Sequence, residues 1–290
     1  MPQAPVSVAL VSTHGVVALR AALHRLRDSA AGDVEVIVLA AQHHDDVLDY
    51  LSRQYLRGEV AAVALEARAP EMAHCGIDTA FPLASGEIVV RVQDDLAFAP
   101  GWLDAVGAAL RGAPDIGLLG LVREPEPRRR GRPPKTRTPE AVDEVDLRAF
   151  AASSDVLRLH AAELAGERCA VGCRFQGLLR QRGYRLAYLA GQVAAAARES
   201  LAPTGTELEA DLAFHPGARE AMARLRQSYA LGDVVLTPCG ACDDDELEVL
   251  AVQIDFCAAH GVPLGHTYTM RCTGCHALRF EEDHEFRCPA

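Results

Sequence analysis

Three groups of residues in this 290-residue sequence have the types and spacing to do chemistry. Asp94 and Asp95 follow an apolar run, Glu87 to Val92, and stand shortly before Pro100-Gly101-Trp102-Leu103. Two adjacent carboxylates at the carboxyl end of a strand can share a hard divalent cation, and that cation can hold a diphosphate. The same pair could instead cap a helix or shape a turn. The second group is two CxxC pairs, Cys239/Cys242 and Cys272/Cys275, with 29 residues between them. Each CxxC turn presents two thiolates to one ion, and two turns complete a tetrahedral structural Zn2+ site. A division into two sites competes with this reading: Cys239, Cys242, Cys257 and His260 in one, Cys272, Cys275, His284 and Cys288 in the other. A thioredoxin-like role fits less well, because neither pair sits in a βαβ pattern. Cys75, Cys169 and Cys173 read as buried thiols. The third group is Arg128 to Arg137, RRRGRPPKTR, with six basic residues and no acid. Such a segment can clamp a diphosphate or another polyanion.

The elements that must position these groups follow from hydrophobic periodicity. Val6 to Thr13, Val34 to Ala40, Glu59 to Leu65, Glu87 to Val92 and Asp115 to Val122 read as strands. Helical spacing runs over Val16 to Arg27, Asp45 to Leu56, Pro70 to Leu83 and Pro100 to Leu110, the last opened by its proline. Strands alternating with helices of this length predict an α/β doubly wound, mainly parallel sheet with helices on both faces. Sheets of this class bind ligands at the carboxyl ends of their strands, where Asp94 and Asp95 lie. Residues 123–140 have no buried pattern and read as an exposed insert. Further on, Cys173 to Arg182 reads as helix, Tyr184 to Leu189 as strand, Ala194 to Thr206 as connector and Leu208 to Tyr229 as helix. Asp243 to His260 reads as an acidic amphipathic helix between the two CxxC pairs. The expected organisation is a main domain over 1–200, a helical connector over 201–234 and a small C-terminal zinc module over 235–290.

Composition sets limits on what such a chain does. It is 49% hydrophobic and 24% charged, which excludes a chain too polar to fold. The net charge of −11 makes the surface as a whole repel nucleic acid and anionic lipid. Taking the six basic residues of Arg128 to Arg137 from the total of 29 leaves 23 against 40 acids, so positive charge is concentrated in one place. No apolar run reaches the ~18 residues of a membrane helix, so no membrane partner is expected. The opening MPQAPVSVALVSTHG lacks a basic signal-peptide region, and the nine cysteines suit a reducing compartment, so a cytoplasmic location is expected.

Two resemblances sharpen these expectations. VSVALVST, VEVIVLA, SGEIVVRVQDDLAFAPGWLDAVGAAL, DIGLLG and RQRGYRLAYL occur in the order found in the large second family of inverting nucleotide-sugar glycosyltransferases, which have the GT-A fold. The resemblance covers Val6 to Leu189. It implies a metal-dependent transfer of a sugar from a nucleotide-sugar donor, with Mn2+ or Mg2+ held by Asp95 and with Asp94 on the metal or the donor ribose. The chain departs from the family at four places. Leu39-Ala40-Ala41 stands where a nucleobase-binding Asp is usual, and Gln93 holds the first position of the acidic motif. Val171-Gly172 falls where the catalytic base is expected, and Ala194 to Ala197 where a late His is expected. Asp155, Glu163 and Glu167 are base candidates outside the motif. The second resemblance is of Arg130-Gly131-Arg132-Pro133 to the core of an AT-hook. There the Gly lets the backbone sit low in the A·T-rich minor groove while arginines enter its negative potential. It implies A·T-rich DNA as a partner and a modified, flipped-out base in DNA as a conceivable acceptor. A catalytically degenerate scaffold is the competing expectation, binding DNA through the basic loop or a protein through the zinc module.

Overall fold

The computed structural model describes residues 6–30, 34–40, 45–65, 83–122, 138–158, 171–195, 228–229, 233–242, 244–257 and 263–284. The chain divides into two compact units, one of Met1–Glu35 with Ala84–Ala202, the other of Val36–Leu83 with Pro203–Ala290.

In the first unit, β1 (Val6–Ser12) is buried along its whole length, as its β-branched run requires of a central strand. It pairs in parallel with β4 (Ile88–Gln93), Val6 beside Ile88 and Val11 beside Gln93. Between them in sequence, α1 (Val16–Ser29) buries Leu19, Leu23 and Leu26 at helical spacing and ends where Ala30 turns extended. After β4 come β5 (Leu96–Phe98), α3 (Trp102–Gly112) and β6 (Ile116–Gly120). Then follow β7 (Glu140–Ala141), β8 (Ala149–Ser153), α4 (Val171–Gln181), β9 (Arg185–Tyr188) and β10 (Val193–Ala195). The strand order is β1-β4-β8-β6-β9-β7.

The expectation of a mainly parallel sheet is corrected here to a mixed one. β8 inserts antiparallel between β4 and β6, and β7 lies antiparallel on β9, while β6 and β9 are parallel. The sequence offers no sign of this, because AFAAS is a short apolar run whose direction only its neighbours set. Ala194 and Ala195, expected in a connector, instead form a two-stranded antiparallel ribbon with β5.

Ser7 organises the entry to β4. Its buried hydroxyl donates to Glu35 and accepts the Gly86 amide at 2.8 Å, while Glu35 also takes the Ser85 amide at 2.8 Å.

In the second unit, from Val36 on, β2 (Val34–Ala40) pairs in parallel with β3 (Ala62–Leu65), and α2 (Asp45–Leu56) connects them. Onto β3 is built an antiparallel set: β12 (Glu246–Phe256), β13 (Pro263–Cys272) and β14 (Leu278–His284), with β11 (Val234–Leu236) on β12. Where a helix is expected over Asp243 to His260, the described residues Glu246–Phe256 are a strand. Leu247, Val249, Val252, Ile254 and Phe256 are buried, a period of two that slips once where the register with β13 shifts between Val249 and Ala251. That bulge breaks the alternation and leaves apolar residues at spacings that also suit a helix.

The helices expected over Pro70 to Leu83 and Leu208 to Tyr229 fall almost wholly outside the described residues. So do Cys75, Cys169, Glu163, Glu167, His260 and Cys288, and Arg130, Gly131, Arg132 and Pro133 of the basic segment. Among the described residues no helix is long and apolar enough to cross a membrane.

Candidate donor and metal site

Parallel pairing brings the carboxyl ends of β1 and β4 together, and the Asp94 amide continues the ladder to the Val11 carbonyl at 3.0 Å. The turn leaving β1 then lies over the Asp94 side chain. Asp94 Oδ2 accepts the backbone N–H groups of Thr13 and His14, both at 3.0 Å. Oδ1 accepts the Thr13 hydroxyl at 3.2 Å and lies 2.7 Å from His14 Nδ1. The carboxylate has no exposure to solvent, and both its oxygens are engaged in fixing the β1 turn.

Asp95 is different. It is half-buried, and its Oδ1 is shielded from solvent with no hydrogen-bond partner among the described residues. A buried carboxylate oxygen left unpaired costs free energy unless a proton or a cation meets it. It therefore fits a hard divalent cation better than a turn role does. In general, one or two protein carboxylates are enough to hold Mg2+ where phosphate oxygens of a substrate and water complete its shell.

Helix α1 holds the turn from the other side. Arg25 donates from Nε to the Leu96 carbonyl and from Nη2 to the Asp94 carbonyl, both at 3.0 Å. Burial pulls the Arg25 pKa below the usual guanidinium value, against the opposing charges of Asp94 and Asp95. One turn later, Ser29 accepts the Trp102 indole N–H at 3.2 Å, and its carbonyl takes the Gly101 amide at 3.1 Å. Gly101 has φ +71°, a left-handed conformation that suits glycine at the entry to α3. Trp102 is fully buried and stacks on Phe98 at 4.7 Å. The Pro-Gly-Trp segment thus locks the strand after Asp95 against the end of α1.

His14 is the residue that sequence reasoning missed. Its side chain is half exposed beside Asp94, and its pKa is raised chiefly by the hydrogen bond to Asp94, against desolvation. No pattern marks a lone His after a strand as a site residue; only the pairing of β1 with β4 places it there.

Ala194 pairs with Ala97 in the β5–β10 ribbon, in the stretch where the resemblance led to the expectation of a late His. Val171 opens α4, Asp155 is exposed, and Gln93 is buried at the end of β4.

The cysteines converge in the second unit. Cys239, Cys242, Cys272 and Cys275 place their sulfur atoms all within 4.8 Å of one another. Among the described residues, the members of the rival sets are not brought together. Cys257 follows the far end of the 11-residue β12, some 30 Å of extended chain from Cys242, and His284 pairs with Asp255 at 3.0 Å at the far end of β14.

No protein-family profile and no curated protein matches this chain. Among solved structures it is similar to GalNAc-T7 with UDP, GalNAc and Mn2+, at 12% identity and a TM-score of 0.51, over 68% of this chain and 45% of that one. A mannosyltransferase from Pyrobaculum calidifontis, in complex with GDP-Man and Mn2+, is similar at 18% identity and TM-score 0.47, over 65% of this chain and 57% of that one. TarS 1–349 of S. aureus in complex with UDP is similar at 14% identity and TM-score 0.47, over 75% of this chain and 69% of that one. The chain spans about half the length of the first two. By the first of these likenesses, the chain has a GT-A-like fold.

Proposed function

We propose that this protein is a nucleotide-sugar-dependent glycosyltransferase whose donor diphosphate is held through Mn2+ or Mg2+ on Asp95. The observation that carries the reading is the shielded, unpartnered Asp95 Oδ1 at the carboxyl end of β4. The bound cation would supply Lewis-acid stabilisation of the leaving diphosphate. Asp94 fixes the β1 turn, Arg25 fixes the backbone of the acidic pair, and His14 places an imidazole at the same edge. The GT-A-like fold, and the UDP and Mn2+ found with GalNAc-T7, agree with this assignment. The basic segment around Arg130-Gly131-Arg132-Pro133 makes a base in A·T-rich DNA the acceptor to try first.

The test is thermal unfolding with UDP-, GDP-, CDP- and TDP-sugars, each with Mn2+ or Mg2+, for wild type and Asp95→Asn. A ligand at ~100 times its Kd stabilises by about 2.7 kcal/mol. A cation-dependent shift with one donor, absent in Asp95→Asn, is the expected result. No shift with any donor overturns it.

A second reading is a non-catalytic scaffold that binds DNA or a protein partner. Ala194 in the ribbon and Val171-Gly172 at the start of α4, where the family carries a His and a base, favour it. Under it, A·T-rich DNA binds while every donor is silent.

A further inference from the structure

We propose that Cys239, Cys242, Cys272 and Cys275 bind one Zn2+ as a closed structural site, and that this ion is the clasp keeping β12 along the edge of β3. The inference is independent of the proposed transferase activity.

The ligand geometry comes from two turns. Cys239 and Cys242 lie between β11 and β12, and Cys272 and Cys275 at the turn between β13 and β14. Cys239 and Cys275 are 3.5 Å apart through sulfur, as are Cys242 and Cys272, so each close pair joins one turn to the other. Tetrahedral coordination at a Zn–S distance of about 2.3 Å places sulfurs about 3.8 Å from one another. The cysteines are free thiols, and sulfurs at these separations are well outside the ~2.05 Å of a disulfide.

The turns are braced as ligand-bearing turns. Gly240, directly after Cys239, has φ +78°, and His276, directly after Cys275, has φ +61°. Within the second turn the Cys275 N–H donates to Cys272 Sγ at 3.4 Å. Amide donors of this kind favour the thiolate form that a metal needs. The two turns also hold each other. The Thr273 hydroxyl donates to Asp244 Oδ2 at 3.0 Å, and the Thr273 amide to the Glu246 carbonyl at 3.0 Å. Gly274 permits this approach, since a Cβ there would stand 2.4 Å from Asp244 Oδ2. Arg279 Nη1 donates to the Pro238 carbonyl at 2.9 Å, tying β14 to the residue before Cys239.

Four thiolates in a tetrahedral, closed set select zinc for a structural role and leave no open position for catalysis. What the ion stabilises follows from the strand pairing. β12 is the strand that covers β3, Val252 beside Leu65 and Ile254 beside Val63, and the connections β11–β12 and β13–β14 meet at the cysteines, at the other end of β12. Without the ion the two turns keep the Thr273–Asp244 and Arg279–Pro238 hydrogen bonds, and the β12 ladder is expected to open from this end toward its pairing with β3.

The experiment uses the full chain. Elemental analysis should find one zinc per chain, and exchange into Co2+ should give the intense visible absorption of tetrahedral cobalt thiolate. Chelation after thiol modification should then raise amide hydrogen exchange in Leu247–Phe256 and Ala62–Leu65 by at least tenfold. Cys275→Ser, the most exposed ligand, should lower zinc content below half; should that variant not fold, exchange in chelated wild type decides. Purified protein that is metal-free and gives no cobalt spectrum, or that holds iron, overturns the zinc assignment. Zinc removal that leaves exchange at β3 and β12 unchanged overturns the clasp.

Discussion

The two adjacent aspartates should respond to mutation in opposite ways. Asp94→Ala removes the acceptor for two backbone amides, one hydroxyl and one imidazole. Hydrogen bonds to a charged acceptor contribute about 1.5–3 kcal/mol each, and water reaching the partly exposed turn recovers some of that. A net loss of about 2–4 kcal/mol is expected. Asp95→Asn keeps the shape and loses no hydrogen bond at Oδ1. Its charge attracts Arg25 and His14 but also stands next to the Asp94 carboxylate, so these terms largely cancel. The metal-free protein should change by less than about 1 kcal/mol. Urea unfolding of both variants, read as a change in midpoint at constant slope, measures this directly. Adding Mn2+ with the donor should then stabilise wild type by about 2.7 kcal/mol at ~100 times Kd and leave Asp95→Asn unmoved. Equal costs for the two substitutions, or a silent Asp94→Ala, would refute the division between an anchoring and a ligand-facing carboxylate.

Other perturbations follow from the same geometry. The raised pKa of His14 means its pairing with Asp94 stabilises fully below the unfolded value of about 6.5, and the contribution fades as pH rises through the folded value. On a half-exposed ring this amounts to about 0.5 kcal/mol after screening, and His14→Gln should flatten the stability profile above pH 6; an unchanged slope would contradict the pairing. Gly86→Ala places a Cβ 2.7 Å from the Ser7 amide nitrogen and hydroxyl, and should cost about 1–3 kcal/mol in denaturant unfolding. Deleting Arg128 to Arg137 should abolish gel retardation of A·T-rich DNA while changing the unfolding free energy by no more than about 0.5 kcal/mol. Binding by the intact chain should weaken steeply with salt, and salt-independent binding would exclude a phosphate-contacting segment.

Much of the scaffold is written in local pattern. Val34–Ala40 and Asp45–Leu56 appear in the structure with the bounds their periodicity predicts, because seven apolar-rich residues or three amphipathic turns leave one way to bury a face. The placement of Asp94 and Asp95 after a buried strand was legible for the same reason, and the two CxxC turns announce themselves by spacing alone. The antiparallel β8 and the ribbon of Ala194 and Ala195 were not legible, since short alanine-rich strands take their direction from the partners that cover them. β12 was misread because a single bulge resets its alternation.

By itself, then, the sequence determined where strands end and which ligand-type residues stand there. It could not separate Asp94 from Asp95, two identical neighbours on one chain. The parallel pairing of β1 with β4 did so, by laying a turn of amides over one carboxylate and leaving an oxygen of the other without a partner. Tertiary structure likewise chose among the cysteine sets: the four-sulfur cluster closes because β12 and β14 carry Cys257 and His284 away from it.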